Sequence, residues 1–196
     1  MSRLHFVKPA DVAEPLRSLV DAPNKTQLEL GPIGVYAQIP EIAAAYATFT
    51  TTLRAKGVLS RRLVELVRLR VAFHNQCRSC MAVRYRDAAG DEVDETLVCQ
   101  LSDHQVAGDL TDAEKAALDF ADKFANEHLS IDDAVIESLK SFFTEAEIIE
   151  LGMNVALCVG FGRLAASLDL VDYLPQEFVV RDQGPIAPWS GKPVII

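Results

Sequence analysis

The nine prolines of this 196-residue chain all lie near its two ends, and this distribution limits the fold more than any other feature. Every proline falls at or before Pro40 or at or after Pro175, so residues 41–174 contain none. A proline inside a helix costs roughly 3 kcal/mol, because it removes a backbone hydrogen bond and clashes with the preceding turn. The distribution therefore predicts an all-α body between two proline-rich, extended arms.

The same distribution divides the chain into three regions. We predict an N-terminal arm with a short helix over 1–39, a helical domain over 40–174, and an extended C-terminal tail over 175–196. The tail contains the only tryptophan, Trp189, and ends in three aliphatic residues. Disordered segments rarely contain such residues. The tail is therefore expected to lie in a groove of its own body or of a neighbouring subunit.

Helix start signals divide the body further. Thr111 and Thr144 are each followed three residues later by Glu, the capping-box pattern, and apolar residues then recur every three or four positions. Pro40 suits the first turn of a helix that ends at Gly57, and Ser60 suits the cap of the next helix. No part of the body alternates with the two-residue period of a strand, so no sheet is predicted.

Two segments of the body resemble each other. Residues 63–72 and 148–156 share an aliphatic pair followed by Glu-Leu and, later, Val-Ala. One interpretation is a duplicated helical hairpin unit. The other is the ordinary similarity between any two amphipathic helices, and the residues do not decide between them.

Composition and charge exclude several classes of protein. Hydrophobic residues make up 49% of the chain, which excludes disorder, and the net charge of −9 argues against a nucleic-acid-binding surface rich in Lys and Arg. No apolar run of the roughly 18 residues that span a bilayer is evident, and the first ten residues lack a signal-peptide profile. We therefore expect a cytoplasmic protein that binds neither nucleic acid nor membrane.

The four cysteines are unevenly distributed. Cys77 and Cys80 form a Cys-x-x-Cys pair, whereas Cys99 and Cys158 occur singly in apolar surroundings and are interpreted as small core residues. In a reducing cytosol such a pair is more often redox-active or metal-binding than structural. The other interpretations are two cysteines buried by chance and half of a zinc site, with His74 as a neighbouring ligand but no fourth ligand at metal-site spacing.

The pair is predicted to lie at the start of a helix. Asn75 is a plausible cap for a helix over 76–89, which would place Cys77 in the first turn and Arg84 on the same face as Cys80. Unpaired amides, the helix dipole and a nearby arginine all lower the pKa of a thiol. A dithiol in this position can attack an oxidant or a disulfide and then close on itself.

Two other side chains are candidates for proton transfer. Glu65 lies among aliphatic residues, so burial would raise its pKa; in the alternative interpretation it lies on a polar face with Arg61, Arg62 and Arg68. His74 is the only side chain near the pair whose ordinary pKa is close to neutrality, although a histidine at a helix end is more often a cap.

These residues together resemble a known family. Glu65, eleven intervening residues, the Cys77/Cys80 pair and a polar residue at position 84 resemble the AhpD-like branch of the carboxymuconolactone decarboxylase superfamily. The resemblance implies an AhpD-like all-α bundle that forms a dimer, trimer or hexamer, and a thiol-dependent hydroperoxide reductase activity. It also implies that Cys80 attacks the peroxide, that Cys77 resolves the product, and that Glu65 begins a proton relay.

The chain departs from this family at two positions. Ser79 and Arg84 occupy places where the characterised peroxidases have histidines. Arginine stays protonated at neutral pH, so Arg84 can stabilise a thiolate but cannot shuttle a proton. The family's complete relay is therefore absent, and His74 and Ser79 are the remaining candidates for assisting the thiols.

The predicted function is that of a homo-oligomeric antioxidant oxidoreductase that reduces hydroperoxides through a Cys77–Cys80 disulfide. Its expected partners are a small hydroperoxide and an unidentified reductant, with no separate cofactor and no metal. One alternative is a decarboxylase acting on a small carboxylate lactone without thiols, with Arg78 and Arg84 binding the carboxylate. The other is a non-enzymatic helical interaction module whose cysteines bind zinc or only pack.

Overall fold

A computed structural model describes residues 1–85, 93–180, 185–189 and 191–196, and within these ranges the protein is predominantly helical. The predicted all-α fold is confirmed. In chain order the helices are α1 Leu16–Leu19, α2 Gln27–Leu30, α3 Ile33–Tyr36, α4 Pro40–Lys56, α5 Arg61–His74, α6 Arg78–Ala82, α7 Glu95–Gln100, α8 Asp112–Glu127, α9 Asp133–Lys140, α10 Glu145–Leu168 and α11 Gln176–Val179. Two short strands, β1 Val83–Arg84 and β2 Val194–Ile195, pair in parallel.

The start signals in the sequence mark real helix ends. Thr111 and Thr144 each accept a hydrogen bond from the amide of the Glu three residues later, and that Glu returns the contact, so α8 and α10 begin with complete capping boxes. The Ser60 side chain accepts from the Leu63 amide at the start of α5. Gly57 follows the last residue of α4, as predicted.

Helix α5 lies at the centre of the body. It packs against both α8 and α10, and its residues Leu66, Val67 and Leu69 are fully buried. A central helix in a close-packed core has little freedom to shift. The residues that α5 carries toward its C-terminal end are therefore held in fixed positions.

The predicted helix over 76–89 is wrong in its extent. Cys77 is the N-cap of α6 and not a first-turn residue, and α6 ends at Ala82 after five residues. Val83 is extended because its backbone pairs with β2, with Val83 opposite Val194 and Arg84 opposite Ile195. Long-range pairing with the tail therefore ends the helix. The remainder of the predicted helix, from 86, lies outside the described residues.

The N-terminal arm contains more helix than predicted. It forms α1, α2 and α3 in place of one short helix, and its own apolar cluster, which includes Leu16 and Leu30, packs against Ala43 of α4. Thr26 and Glu29 form a capping box at the start of α2, the same pattern as at Thr111. This signal is present in the sequence and identifies the extra helix.

The C-terminal tail lies on the protein's own body. Besides the β1–β2 pairing, the Trp189 ring packs against Phe73 of α5 with a centroid distance of 5.1 Å. Phe178 of α11 is almost fully buried against Met81 and Ala82 of α6. The tail therefore covers the region that follows α5.

Helix α10 corrects the expectation that no segment could span a bilayer. It has 24 residues, and an 18-residue window in it has a mean hydropathy of 1.5, so it is long and apolar enough by those two criteria. In the structure α10 packs against α5, α8 and α9. We therefore assign it to the helical body. One face, with Ile149, Met153 and Leu164, remains exposed.

A polar cluster joins α5 to α8. Asp122 accepts hydrogen bonds of 2.7 and 2.8 Å from Arg70 and one of 2.6 Å from the His74 ring. Burial alone would raise the pKa of Asp122, but the hydrogen bonds and charges of His74 and Arg70 lower it to about 2, from 3.8. Because the folded pKa is depressed, this stabilisation is present above pH 4 and is lost as pH falls toward 2.

Asp122→Asn is therefore expected to destabilise the protein by about 2 kcal/mol at neutral pH, which lowers the Tm by roughly 4–8 °C. The difference from wild type should shrink as pH falls from 4 toward 2. Circular dichroism melting curves over pH 2–7 measure both effects. Asp119→Asn, which alters a half-exposed carboxylate paired with His104, is the control. Equal Tm values for Asp122→Asn and wild type at pH 7 would contradict this account.

Candidate active site

The cysteine pair forms a disulfide at the start of α6. The Cα atoms of Cys77 and Cys80 lie 5.2 Å apart. Cys77 is fully buried, and its amide donates to the carbonyl of Ala72 on α5 at 3.1 Å. Cys80 is only partly buried and lines a cavity, whereas Cys77 does not line it. A molecule that approaches the disulfide through this cavity therefore meets Cys80.

The cavity beside Cys80 has a volume of about 370 Å³ and lies between α4, α5 and α10. Aromatic rings form part of its wall: the Tyr46 ring lies 4.3 Å from Phe161 and 5.5 Å from Tyr36, centroid to centroid. Burial and the neighbouring Tyr36, Tyr85 and Cys158 raise the pKa of Tyr46. The Tyr46 hydroxyl therefore stays protonated at neutral pH and can donate a hydrogen bond.

Glu65 and Arg68 form a buried ion pair on the cavity wall. Arg68 Nε donates to Glu65 Oε2 at 2.6 Å and Arg68 Nη2 to Oε1 at 2.7 Å, and the two side chains are 12% and 4% exposed. The same guanidinium donates to the carbonyls of Cys80 at 2.6 Å and Val83 at 2.9 Å. Burial by itself would lower the pKa of Arg68, but the neighbouring Glu65 carboxylate outweighs this and raises that pKa above the ordinary value for arginine. The pair therefore holds the backbone of residues 77–83, which we call the redox turn after its cysteine pair, against α5.

This geometry gives Glu65 a role different from the one that the family resemblance implied. Both carboxylate oxygens of Glu65 accept hydrogen bonds from Arg68, so the carboxylate is engaged in the ion pair. Both earlier interpretations of Glu65 are partly right, because it is buried and it also pairs with a neighbouring arginine. Glu65 in this arrangement anchors Arg68, and a relay beginning at Glu65 would require that contact to open.

Ser79 and Arg84 have different positions relative to the disulfide. Ser79 lines the cavity, and its hydroxyl lies 3.5 Å from Cys77 Sγ. Arg84 does not share a helical face with Cys80, because α6 ends before it. Its side chain is 2% exposed and pairs with Glu95 at 2.9 Å, and it also donates to the Met81 carbonyl. Arg84 therefore stabilises the fold around β1 and does not line the cavity.

The His74 side chain contacts α8. Its Nε2 lies 2.6 Å from Asp122 Oδ1, and its Nδ1 lies 3.3 Å from Asn126 Nδ2 on α8. His74 is not among the residues that line the cavity. The structure thus brings together Glu65, Ser79 and the two cysteines, and it separates His74 and Arg84 from them.

The cavity wall also contains Tyr85, for which the sequence made no prediction, and Cys158, which packs against the main apolar core as predicted. The Tyr85 ring lies between the guanidinium groups of Arg54 at 4.4 Å and Arg68 at 5.0 Å, and it lines the cavity. Cys158 also lines the cavity, and burial raises its pKa to about 11, so it is a neutral thiol. Cys99, predicted to be a core residue, is exposed. The sequence named Arg68 only as one of three arginines on a possible polar face with Glu65, and no local pattern marks Tyr85.

Metal binding was one of the alternatives for the cysteine pair. Among residues 1–85, 93–180, 185–189 and 191–196, no group of three or more His, Cys, Asp or Glu side chains is arranged to hold a metal ion. The described residues therefore supply no ligand set for the zinc interpretation.

Comparison with known sequences gives a family and two relatives. Residues 40–123 match the model of the carboxymuconolactone decarboxylase family. Uncharacterized proteins from two strains of Mycobacterium tuberculosis are 31% identical over 127 residues. The match covers 64% of this chain and 44% of each relative, so the chain accounts for less than half of their length.

Solved structures share the fold. An uncharacterized peroxidase-related protein from Ralstonia eutropha, described as an alkylhydroperoxidase AhpD core, has a TM-score of 0.68 at 19% identity, over 94% of this chain and 98% of its own. A peroxidase-related protein from a Silicibacter species has a TM-score of 0.64 at 19% identity, over 92% and 98%. Over residues 40–123 the chain is therefore similar to the carboxymuconolactone decarboxylase family, as the sequence predicted, and it shares its all-α fold with these AhpD-like structures.

Proposed function

We propose that the protein is a cytoplasmic, homo-oligomeric oxidoreductase that reduces hydroperoxides through Cys77 and Cys80. The observation that carries this proposal is the division of the pair: Cys80 lines the cavity and Cys77 is buried directly behind it. The peroxidase-related descriptions of the structural relatives agree with it. The exposed apolar face of α10 agrees with an oligomer, since such faces on soluble proteins commonly mark interaction sites.

The proposed reaction has two covalent steps. The Cys80 thiolate attacks the terminal oxygen of a hydroperoxide, ROOH, so that the O–O bond breaks and Cys80 becomes a sulfenic acid, while the alkoxide leaves and is protonated to ROH. Cys77 then attacks the Cys80 sulfur as a thiolate, forms the S–S bond and releases hydroxide, which becomes water. The dithiol loses two electrons and two protons, and ROOH gains them as ROH and H₂O.

The cavity wall offers two hydroxyl groups, that of Ser79, where the family's peroxidases have a histidine, and that of Tyr46 on α4. Tyr46 can donate a hydrogen bond to the departing alkoxide because burial keeps its phenol protonated. Ser79 can donate to Cys77 when that sulfur carries negative charge, since its hydroxyl lies 3.5 Å away. The proposed reaction therefore does not require histidines at positions 79 and 84.

The disulfide must be reduced before the next cycle. An external thiolate is proposed to attack Cys80, because its sulfur is the one that borders the cavity, and Cys77 leaves as the thiolate. A second thiol then attacks the mixed disulfide and restores Cys80. Dithiothreitol can supply both thiols in an assay, and its cyclic disulfide carries away the two electrons.

The test measures products and thiols together. The reduced protein is mixed with cumene hydroperoxide or hydrogen peroxide, and we expect one mole of cumyl alcohol formed, or one mole of hydrogen peroxide consumed, per mole of Cys77–Cys80 disulfide formed. Oxidation of the pair should be much faster than that of free dithiothreitol under the same conditions. No protein-dependent loss of hydroperoxide would overturn the proposal.

Residues 40–123 match a family named for a decarboxylase, which keeps that activity as the second candidate, and the positive charges of Arg54 and Arg61 in the cavity wall suit a carboxylate substrate. Alkylation of the reduced protein with N-ethylmaleimide separates the two candidates. Loss of hydroperoxide reduction on alkylation supports the thiol mechanism. Carbon dioxide release from carboxymuconolactone by the alkylated protein would instead identify a decarboxylase.

A further inference from the structure

The redox turn cannot hold its own conformation. Helix α6 has only five residues, and isolated helices of that length are unstable in water. The residue before Cys77, Gln76, has a φ of 49°, a left-handed conformation that a non-glycine residue adopts only when its surroundings hold it there. The geometry of the turn therefore depends on contacts outside it and on the Cys77–Cys80 bond.

The C-terminal segment, defined as residues 185–189 and 191–196, supplies contacts before the cysteine pair. Gln76 Nε2 donates to the Ile186 carbonyl at 3.1 Å, and the Ile186 amide donates to Gln76 Oε1 at 3.1 Å. Gln76 Nε2 also donates to the Phe73 carbonyl at 2.7 Å. These three hydrogen bonds hold Gln76 in its left-handed conformation.

The same segment supplies contacts after the pair. β2 pairs with β1 immediately beyond α6, and the Ile196 amide donates to the Arg84 carbonyl at 2.9 Å. The Arg84 side chain donates to the Pro188 carbonyl at 2.8 Å. The C-terminal segment is thus hydrogen-bonded to Gln76, one residue before Cys77, and to Arg84, four residues after Cys80. These contacts lie on both sides of the disulfide.

We infer that docking of the C-terminal segment and the redox state of Cys77–Cys80 are linked, with Gln76 as the residue that couples them. Reduction by a dithiol breaks the S–S bond, adds two electrons and two protons to the cysteines, and removes the covalent restraint on the turn. Gln76 then holds Ile186 less firmly, and the segment loosens. By reciprocity, a docked segment favours the disulfide as much as the disulfide favours docking.

This inference deepens the proposed function, because it rests on a pair that alternates between dithiol and disulfide. The linkage itself is measured with dithiothreitol and its oxidised form, without any peroxide. A protein that reduces hydroperoxides but shows no linkage would refute the inference alone. A protein that shows linkage but no hydroperoxide reduction would refute the proposed function alone.

Trp189 reports docking directly, because it is the only tryptophan in the chain and packs against Phe73. The full-length protein is examined oxidised and after dithiothreitol treatment, by Trp189 emission wavelength and by hydrogen exchange of peptides from the C-terminal segment. The emission wavelength is compared, and not the emission intensity, because a nearby disulfide can quench tryptophan fluorescence even when the C-terminal segment does not move. We expect a red shift and faster exchange on reduction, and neither change in the Cys77→Ser/Cys80→Ser double variant.

Gln76→Ala tests the coupling residue. Loss of the two hydrogen bonds to Ile186 should shift the dithiol–disulfide equilibrium constant about three- to tenfold toward the dithiol and loosen the segment even when oxidised. Gln38→Ala is the matched control, since Gln38 also donates to a distant backbone carbonyl, that of His5. Identical emission and exchange in the two redox states of wild type, or equal equilibrium constants for Gln76→Ala and Gln38→Ala, would overturn the inference.

Discussion

Cys80→Ser should lower hydroperoxide reduction to the uncatalysed background. Cys80 provides the sulfur that borders the cavity, and a serine hydroxyl at neutral pH is not a comparable nucleophile. Cys77 keeps its thiol in this variant but is fully buried behind position 80. Consumption of cumene hydroperoxide, followed with dithiothreitol as the reductant, measures the loss. Undiminished consumption by the Cys80→Ser variant would refute the thiol mechanism.

Cys77→Ser is the matched variant, and it is expected to react with hydroperoxide but not to form the disulfide. Cys80 should still react with one equivalent of hydroperoxide, but the sulfenic acid then has no partner thiol within the turn and should persist long enough for labelling with dimedone. Mass spectrometry of the labelled peptide identifies the sulfur that carries the oxygen. A dimedone label on Cys77 in the Cys80→Ser variant would reverse the assigned roles.

Arg68→Ala is expected to be the most destabilising of the substitutions considered. It leaves Glu65 as an unpaired charge that is 4% exposed and removes the donors to the Cys80 and Val83 carbonyls. Breaking a buried ion pair from one side typically costs about 3–5 kcal/mol, which for a chain of this size corresponds to a Tm decrease of roughly 6–20 °C. Differential scanning calorimetry of Arg68→Ala and wild type measures this decrease in Tm.

A double variant separates stability from function. Glu65→Leu/Arg68→Met replaces both charges with apolar groups and should recover much of the lost Tm, because no buried charge remains unpaired. Its disulfide formation with hydroperoxide should still be slower than in wild type, since nothing holds the Cys80 carbonyl. Arg62→Ala, which breaks the Arg62–Glu114 pair away from the cavity, is the control for losing an arginine from α5. Wild-type oxidation rates in the double variant would refute the positioning role of Arg68.

Features that depend on neighbouring residues were predictable from the sequence. The capping boxes at Thr111 and Thr144, and the cap at Ser60, predicted three helix starts correctly because a cap is a contact between residues three apart. The Cys-x-x-Cys spacing predicted that Cys77 and Cys80 would meet for the same reason. The fold class followed from the placement of the prolines.

Features that depend on distant partners were predicted poorly. The helix after Asn75 is shorter than expected because β2, more than a hundred residues later, pairs with Val83. Arg84 was expected beside Cys80, and the same pairing places it against Glu95 instead. His74 was expected near the cysteines, but its ring contacts Asp122 of α8 instead.

By itself, then, the sequence determined the all-α class, the starts of the longer helices and the pairing of Cys77 with Cys80, because each of these follows from local spacing and from proline's effect on the backbone. Only the tertiary structure decided that Cys80 and not Cys77 borders the cavity, that Glu65 is engaged by Arg68, and that the tail closes over the redox turn. The physical reason is that burial and ion pairing depend on which helices pack together, and residues far apart in the chain meet only in the folded protein.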